Sequence, residues 1–439
     1  MGVLGGAGER VGKRSRHWWR DPAAGDIGLA RRVNGMTPEE THAITQWIVS
    51  EGLNGTHETT LLEGVCERLL AADITLLRVN ISLPTLHPII GGRLFIWSRG
   101  EGAVQEDWER NVAEAGEEYV RTPFPHMVST GTTRLRCRLH EGEGSEFPML
   151  SRFREQGGTD YFALRIAFGE AHRFGPAAGI VTSWLTDAPG GFRDADLAAI
   201  EQLLPSLALA VKGTSTFRIA RGVIETYLGS DAARRVLSGE IERGSGQTIR
   251  TALWYCDLKG FTKLADTTPR DRLLAMLDDY FECMVTTVHE FDGHVLKFMG
   301  DGLLAIFNLG DDAGSCRAAL EAAEQVTSRI TRLTAERDAD GLPVCGFYLA
   351  LHLGDVMYGN IGARNRLDFT VVGPAVNEVS RIEAMCGALD QSLVISSAFA
   401  EAARDSTDRI VSLGRYALRG VRRSQELFTL ELPVAGNRW

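Results

Sequence analysis

The segment that most narrows what this chain can fold into is residues 293–307, GHVLKFMGDGLLAIF, two apolar runs joined by Gly300, Asp301 and Gly302. Glycine reaches positive φ without a Cβ penalty and Asp-Gly is a favoured turn pair, so the run predicts a tight β-hairpin with Asp301 at its tip. A strand precedes it. In TALWYCDLKGFTKLAD (251–266) the apolar Leu253, Trp254 and Tyr255 lead to Asp257, and a glycine-containing turn and a helical pattern follow. Between the two pieces Thr268 reads as an N-cap and Pro269 as the first helical position, with Leu273, Leu277, Phe281, Met284 and Val288 on one face. A strand, a helix and a hairpin in this order can bring Asp257 and Asp301 together.

Two carboxylates held close repel one another unless a divalent cation compensates them. With two such ions the pair can lower the pKa of a hydroxyl and clamp a polyphosphate, the arrangement used for in-line phosphoryl displacement. The backbone amides of Lys259, Gly260, Phe261 and Thr262, just past Asp257, can face phosphate oxygens. Taken singly, each acid has a plainer reading, Asp257 as a turn residue or helix cap and Asp301 as a hairpin turn.

At 439 residues the chain is long enough for two or three domains. Its 47 basic and 57 acidic side chains sum to −10, which argues against a general nucleic-acid coat and requires any anionic substrate to find local positive charge. Seven scattered cysteines (Cys66, Cys137, Cys256, Cys283, Cys316, Cys345, Cys386), with no CxxC pair, suggest buried thiols in a reducing compartment rather than a disulfide scaffold or zinc site. The opening MGVLGGAGERVGKRSR carries charges where a secretory signal needs an apolar stretch, and no apolar run approaches a membrane span. A cytoplasmic location and no membrane segment are expected.

Residues 1–36 read as a flexible leader, in which Trp18 and Trp19 form the one aromatic pair. At Thr37 a capping-box spacing begins, with Pro38 at the first helical position and Glu40 three residues after the cap. From there to 212 the pattern predicts an α+β domain: a helix over 62–71, β-rich runs at 74–82, 93–98, 162–168 and 178–186, and a last helix capped by Asp194. That helix buries Leu197, Ile200, Leu203 and Leu204 and should kink at Pro205. The segment GIVTSWLTDAPGGFRDADLAAIEQLLPSLALAV resembles the last strand and closing helix of GAF domains, related in shape to PAS, which implies a GAF-like regulatory sensor over 37–212 with an unidentified small-molecule or protein regulator. Residues 213–249 read as a helical connector, broken at Gly229, with Ser230 capping a second helix that ends at Gly239.

The motifs Asp257 in WYCDLKGFT, Lys297 and Asp301 in GHVLKFMGDGLLAIF, and RLDFTVVGPAVNEVSRIE (366–383) resemble the ordered motifs of class III nucleotidyl cyclases, the adenylate and guanylate cyclase catalytic domain. The resemblance implies a ferredoxin-like βαββαβ core over 250–433. It also implies two Mg²⁺ (or Mn²⁺) ions per site held at Asp257, Leu258 and Asp301, and phosphate contacts from Gly260, Phe261 and Thr262. Lys297 and Thr370 match the positions that read the base. Adenine offers an acceptor at N1 and donors on its exocyclic amine, which an ammonium and a hydroxyl oxygen complement, so ATP is favoured over GTP. Asn377 and Arg381, four apart on one helical face, match the residues that orient the ribose and stabilise charge on the phosphoryl group. Pro374 stands where the family commonly has Asp, which removes a carboxylate and a backbone donor and is expected to shift the local loop. In YALRGVRRSQELFTL the triphosphate contact falls among Arg419, Arg422 and Arg423, with Arg422 ranked first.

In the family the aspartates and the Lys, Thr, Asn and Arg come from different subunits, so the resemblance implies a head-to-tail homodimer with two shared sites. The expected function is an adenylate cyclase. The rivals are a guanylate or pyrimidine nucleotide cyclase, or a catalytically silent ligand-sensing scaffold; a diguanylate cyclase is disfavoured because MGDGL lacks GG(D/E)EF. Candidate sensor residues in the front domain are His87, Trp97, Trp108 and His140, each of which also reads as a satisfied structural residue.

Overall fold

The computed structural model describes residues 35–109, 121–169, 179–421 and 424–431, and divides into two compact units whose main boundary lies between Lys212 and Gly213, with Thr85–Gly91 grouped with the second. In the second unit the strands are β7 (Gly246–Lys259), β8 (His294–Met299), β9 (Gly302–Phe307), β10 (Gly346–Ala363), β11 (Arg366–Val372), β12 (Leu393–Ser396), β13 (Ile410–Tyr416) and β14 (Gln425–Leu430). The sheet order is β13-β14-β12-β10-β7-β9-β8, with β11 paired to β10. Taken with the helices Arg270–Glu290 and Asp312–Ala339, the run β10-β7-β9-β8 is a ferredoxin-like βαββαβ core, as expected from the sequence.

Alternation along β7 assigns its two faces. Trp254 and Cys256 join Met276, Tyr280, Met284 and Val288 from the helix Arg270–Glu290, and Ala319, Ala323 and Val326 from Asp312–Ala339. The alanines let that second helix lie close to the sheet. Leu253 faces the other way, with Ala375, Val379 and Ile382 of the helix Pro374–Glu383. Asp257, two and four residues beyond Tyr255 and Leu253, falls on this second face.

Two local expectations need correction. Thr268 does not cap the long helix: it is extended (φ −103°, ψ 135°) and ends the short helix Phe261–Thr267, while Pro269 is the N-cap of Arg270–Glu290. Pro269 itself is extended (φ −54°, ψ 140°), so it stands one place before the first helical residue rather than at it. The buried stripe turns accordingly to Met276, Tyr280, Met284 and Val288, leaving Leu273, Leu277 and Phe281 half-buried at its margin. The backbone donor lost at Pro374 is without consequence: Pro374 occupies the first turn of Pro374–Glu383, where a missing N–H costs no intrahelical bond.

The first unit holds a six-stranded antiparallel sheet in the order β3-β2-β1-β6-β5-β4, formed by β1 (Arg78–Pro84), β2 (Ile90–Ser98), β3 (Gly102–Glu109), β4 (Arg134–Cys137), β5 (Asp160–Ala167) and β6 (Gly179–Thr186). One face packs on the helices Pro38–Asn54, Glu58–Ala71 and the start of Asp194–Leu228 through Ile48, Leu61, Val65, Leu197, Ile200 and Leu203. The other is covered by Pro123–Thr130 and Pro148–Glu155, through Phe124, Met127 and Leu150. The capping box at Thr37 forms as read, the Glu40 amide donating to Thr37 Oγ1 at 3.2 Å and the Thr37 amide to Glu40 Oε2 at 2.8 Å. Such a cap stabilises a helix by about 1 kcal/mol.

The helix Asp194–Leu228 continues through Pro205 and stops at Gly229, whose φ of +81° and close approach to the Val295 carbonyl leave no room for a side chain. Ser230 is then the first residue of Ser230–Leu237 rather than its cap. All seven cysteines are free and six are buried, which leaves the thiols as core packing. Among the described residues no helix is long and apolar enough to cross a membrane.

Candidate active site

Met299 pairs with Gly302 across the β8–β9 ladder, so Gly300 and Asp301 form a two-residue turn, with Gly300 at φ +70°. Asp301 is therefore at the tip of the hairpin. The pairing of Cys256 with Leu303 sets Asp257 of β7 beside that turn. Contact is close enough to dictate a glycine: a Cβ at Gly302 would lie 2.5 Å from the Cys256 carbonyl oxygen and 2.8 Å from Asp257 Oδ1. Burial, and then the charge of the adjoining Asp301, pushes the Asp257 carboxyl up to about 6.

A third acid approaches from the helix Pro374–Glu383. Burial and then the charges of Asp257 and Asp301 push Glu383 up to about 7, and the same three acids help to raise the neighbouring Tyr255 phenol after its own burial. Glu383 lies inside the segment read from sequence but has no role there, because its approach depends on a helix packing across β7. Among the described residues no three His, Cys, Asp or Glu side chains are gathered tightly enough to cage a metal. The donor set is two adjoining carboxylates whose repulsion no ion pair compensates among the described residues. That suits Mg²⁺, which takes one or two protein carboxylates and completes its shell with water and substrate oxygens.

The Leu258 backbone offsets part of the upward push on Asp257, and the Leu258 side chain is buried. Beyond it Gly260 is exposed at φ +76°, and the helix Phe261–Thr267 follows, with Leu264 the first amide to bond back to the Gly260 carbonyl, at 3.2 Å. The amides of Phe261 and Thr262 thus open a helix, where no intrahelical acceptor exists. Phe261 packs partly on the core, and Thr262 is exposed.

Lys297 lies on β8 at the sheet edge, where the ladder with β9 slips between Val295 and Lys297. Its ammonium sits 3.6 Å from Asp368 Oδ2 of β11, a partner that the sequence reading did not identify. Thr370, also on β11, is 3% exposed, and among the described residues its hydroxyl finds no hydrogen-bond partner. A buried hydroxyl left unpaired in this way is costly, and a ligand donor can satisfy it.

Asn377 is exposed and Arg381 half-buried on one face of Pro374–Glu383. The Arg381 guanidinium lies against Gly420, where a Cβ would come within 3.3 Å of Nη2. Among the described residues, no hydrogen bond or ion pair joins Asn377 or Arg381 to the acids. At roughly 100° per residue, Glu383 is turned about 200° from Arg381, so one helix presents opposite faces to the acids and to solvent. Arg419 is exposed in the same loop as Gly420, while Arg422 and Arg423 lie outside the described residues.

Of the candidate sensor residues, His87 in the segment Thr85–Gly91 accepts at Nδ1 from the amides of Ile89 and Ile90 at 3.2 and 3.1 Å. His140 Nδ1 meets the Thr159 carbonyl at 2.8 Å. Trp97 is in the core and Trp108 half-buried against Gly92. Trp18 and Trp19 are outside the described residues.

Residues 246–432 match the family model described as the adenylate and guanylate cyclase catalytic domain. An adenylate cyclase of Anabaena cylindrica is 33% identical over 149 residues, covering 33% of this chain and 29% of the relative. Adenylate cyclase 1 of Rhizobium meliloti is 26% identical over 226 residues, covering 50% of this chain and 34% of the relative. This chain therefore spans about a third of the length of these two curated relatives. Among solved structures, the adenylyl cyclase CyaB from P. aeruginosa is similar at a TM-score of 0.40 and 22% identity, over 43% of this chain and 97% of that one.

Proposed function

Since residues 246–432 form a class III nucleotidyl cyclase catalytic domain, we propose that this domain converts ATP to 3′,5′-cyclic AMP and pyrophosphate, in a homodimer with shared sites and under control of the N-terminal unit. The observation that carries this reading is the uncompensated contact of Asp257 with Asp301 at the mouth of the β7–β9 register. Two divalent cations held at Asp257, Leu258 and Asp301 would lower the pKa of the ribose 3′-hydroxyl and neutralise the polyphosphate.

The protein's own groups do the rest. Lys297 donates to adenine N1, and the buried Thr370 hydroxyl oxygen accepts from the exocyclic amine, satisfying an atom that is otherwise orphaned. The opening amides of Phe261 and Thr262, next to the exposed Gly260, bind phosphate oxygens. Asn377 orients the ribose. Arg381 places fixed positive charge where negative charge develops on the phosphoryl group, and Arg422 adds charge at the triphosphate.

The dimer is supported by the way one chain leaves Asn377 and Arg381 turned from its own acids, so that a second copy can bring them to that site. Control by the first unit is supported by its GAF-like sequence and by the helix Asp194–Leu228, which leads from that unit to the break at Gly229. Its regulator is a small molecule or a protein.

Competition among ATP, GTP, CTP and UTP in the presence of Mg²⁺ or Mn²⁺, with products identified by mass spectrometry, tests the reading. Cyclic AMP and pyrophosphate are the expected products. A cyclic product chiefly from another nucleotide would overturn the choice of ATP, and nucleotide bound without any turnover would make the domain a silent scaffold.

A further inference from the structure

The sheet of the first unit carries polar groups on one face that the described residues leave unsatisfied. Alternation sends Val79, Ile81 and Leu83 of β1 into the core with the helices Pro38–Asn54 and Glu58–Ala71, so Arg78 and Asn80 take the opposite face. Register continues that face across the sheet. Arg78 is opposite Ser98 of β2 and Leu185 of β6, Leu185 is opposite Tyr161 of β5, and Asn80 is opposite Ser183 of β6. Arg78, Asn80 and Tyr161 therefore stand within about two strand spacings, roughly 10 Å, of one another. Tyr161 is fully buried and its hydroxyl has no hydrogen-bond partner among the described residues, and neither has the buried Asn80 Oδ1. The half-buried Arg78 guanidinium, a fork of several N–H donors, makes one long bond among them, from Nη1 to Ser98 Oγ at 3.4 Å. It lies 5.9 Å from the centre of the Phe153 ring, which is also 6.4 Å from that of Tyr161. Burial lowers the Arg78 guanidinium and raises the Glu106 carboxyl of β3, and their attraction offsets part of each shift, yet no ion pair joins them among the described residues.

Buried polar atoms left unpaired are costly, and a cation and an acid that attract without meeting leave room for a molecule that carries both charges. The complement of these groups is specific. A carboxylate answers the guanidinium with two oxygens and takes the Tyr161 hydroxyl as a further donor. An ammonium answers Asn80 Oδ1 and Glu106, which are both acceptors. Met127, buried on the same face, and Phe153 add apolar surface from the helices Pro123–Thr130 and Pro148–Glu155. We propose that this face binds a free α-amino acid with an apolar side chain, its carboxylate on Arg78 and Tyr161, its ammonium on Asn80 and Glu106, and its side chain against Met127 and Phe153. A nucleoside phosphate fits worse, because its several negative charges would meet Glu106 with a single guanidinium to offset them. This deepens the reading of the first unit as the seat of a regulator, although its test does not require turnover.

Isothermal titration of the full chain with L-leucine, L-methionine and L-phenylalanine tests it. Whichever binds is compared with the matching acid that lacks the amino group and the matching amine that lacks the carboxyl group. At least one of the amino acids should bind saturably, and both of its analogues should bind about tenfold or more weakly, the scale of a hydrogen bond to a charged group. Arg78→Met should weaken the amino acid by a similar factor. Tyr161→Phe separates a site from a packing defect: as a ligand donor the hydroxyl should be worth about fivefold in affinity, with the melting temperature of the unliganded chain no lower once it is removed. Saturable binding by none of the three, an affinity that Arg78→Met or Tyr161→Phe leaves unchanged, or a matching acid that binds as tightly as the amino acid would overturn the proposal. An amino acid that binds as described and leaves cyclic nucleotide production unaltered would overturn control by the first unit and leave this site standing.

Discussion

The two units treat their polar candidates in opposite ways. In the first, His140 is engaged by the nearby Thr159 carbonyl and Trp97 is packed in the core, so both of these candidate sensors are already satisfied. In the second, among the described residues, Asp257 and Asp301 adjoin each other without a counter-charge, and the buried Thr370 hydroxyl has no partner. Groups left unsatisfied by the fold are expensive, and they persist where a ligand repays the cost. The contrast teaches that a chemically suggestive residue type is a weak guide until its hydrogen bonds are accounted for.

If the contrast is right, substitutions at these candidates in the second unit should remove activity while those in the first should remove stability. The largest effect is expected from Asp257→Ala combined with Asp301→Ala, which should lower metal-dependent turnover by about a thousandfold or more while leaving the circular dichroism spectrum intact. Substantial remaining turnover would break the assignment. Trp97→Ala, a core truncation, should cost about 3–5 kcal/mol in chemical denaturation. A near-neutral result would mean that Trp97 is available for another task.

The acids also set a pH dependence. Asp257 and Glu383 hold their protons more tightly when folded than when unfolded, at about 6 and about 7. Without cation, the folded state is favoured by these groups at low pH and loses that stability as pH rises from the ordinary carboxylate range through those values. Mg²⁺ or Mn²⁺ should therefore raise the melting temperature more at pH 8 than at pH 5, as read by differential scanning calorimetry; an equal rise at both would place the cation elsewhere. The smallest effect is expected from His140→Ala, which gives up one ring contact to the Thr159 carbonyl and should cost about 1 kcal/mol or less.

What could be read from sequence follows the range of the interactions involved. The hairpin at Gly300–Gly302, the capping box at Thr37 and the break at Gly229 are set by neighbours within four residues, and they stand where the sequence places them. The strand β4 (RLRC) and the helix Pro148–Glu155, with Leu150 as its one buried residue, are short and mostly polar, so periodicity gives no sign of them. The start of Arg270–Glu290 falls one residue later than a proline at the first helical position would put it, because proline fixes φ but leaves ψ free, and Pro269 takes the extended ψ of 140°. Asp368 and Glu383 were both in quoted motifs, yet their partners come from β8 and β7, and a meeting across elements has no local signature.

The central claim is that the acids of one copy are completed by the Asn377–Arg381 face of another. Mixing separately inactive Asp257→Ala and Arg381→Ala chains tests it most directly. Random pairing makes half of the dimers mixed, each with one intact site of two, so activity should recover to about a quarter of wild type. Activity that stays at the level of the two variants alone, with mixed dimers demonstrably present, would contradict it.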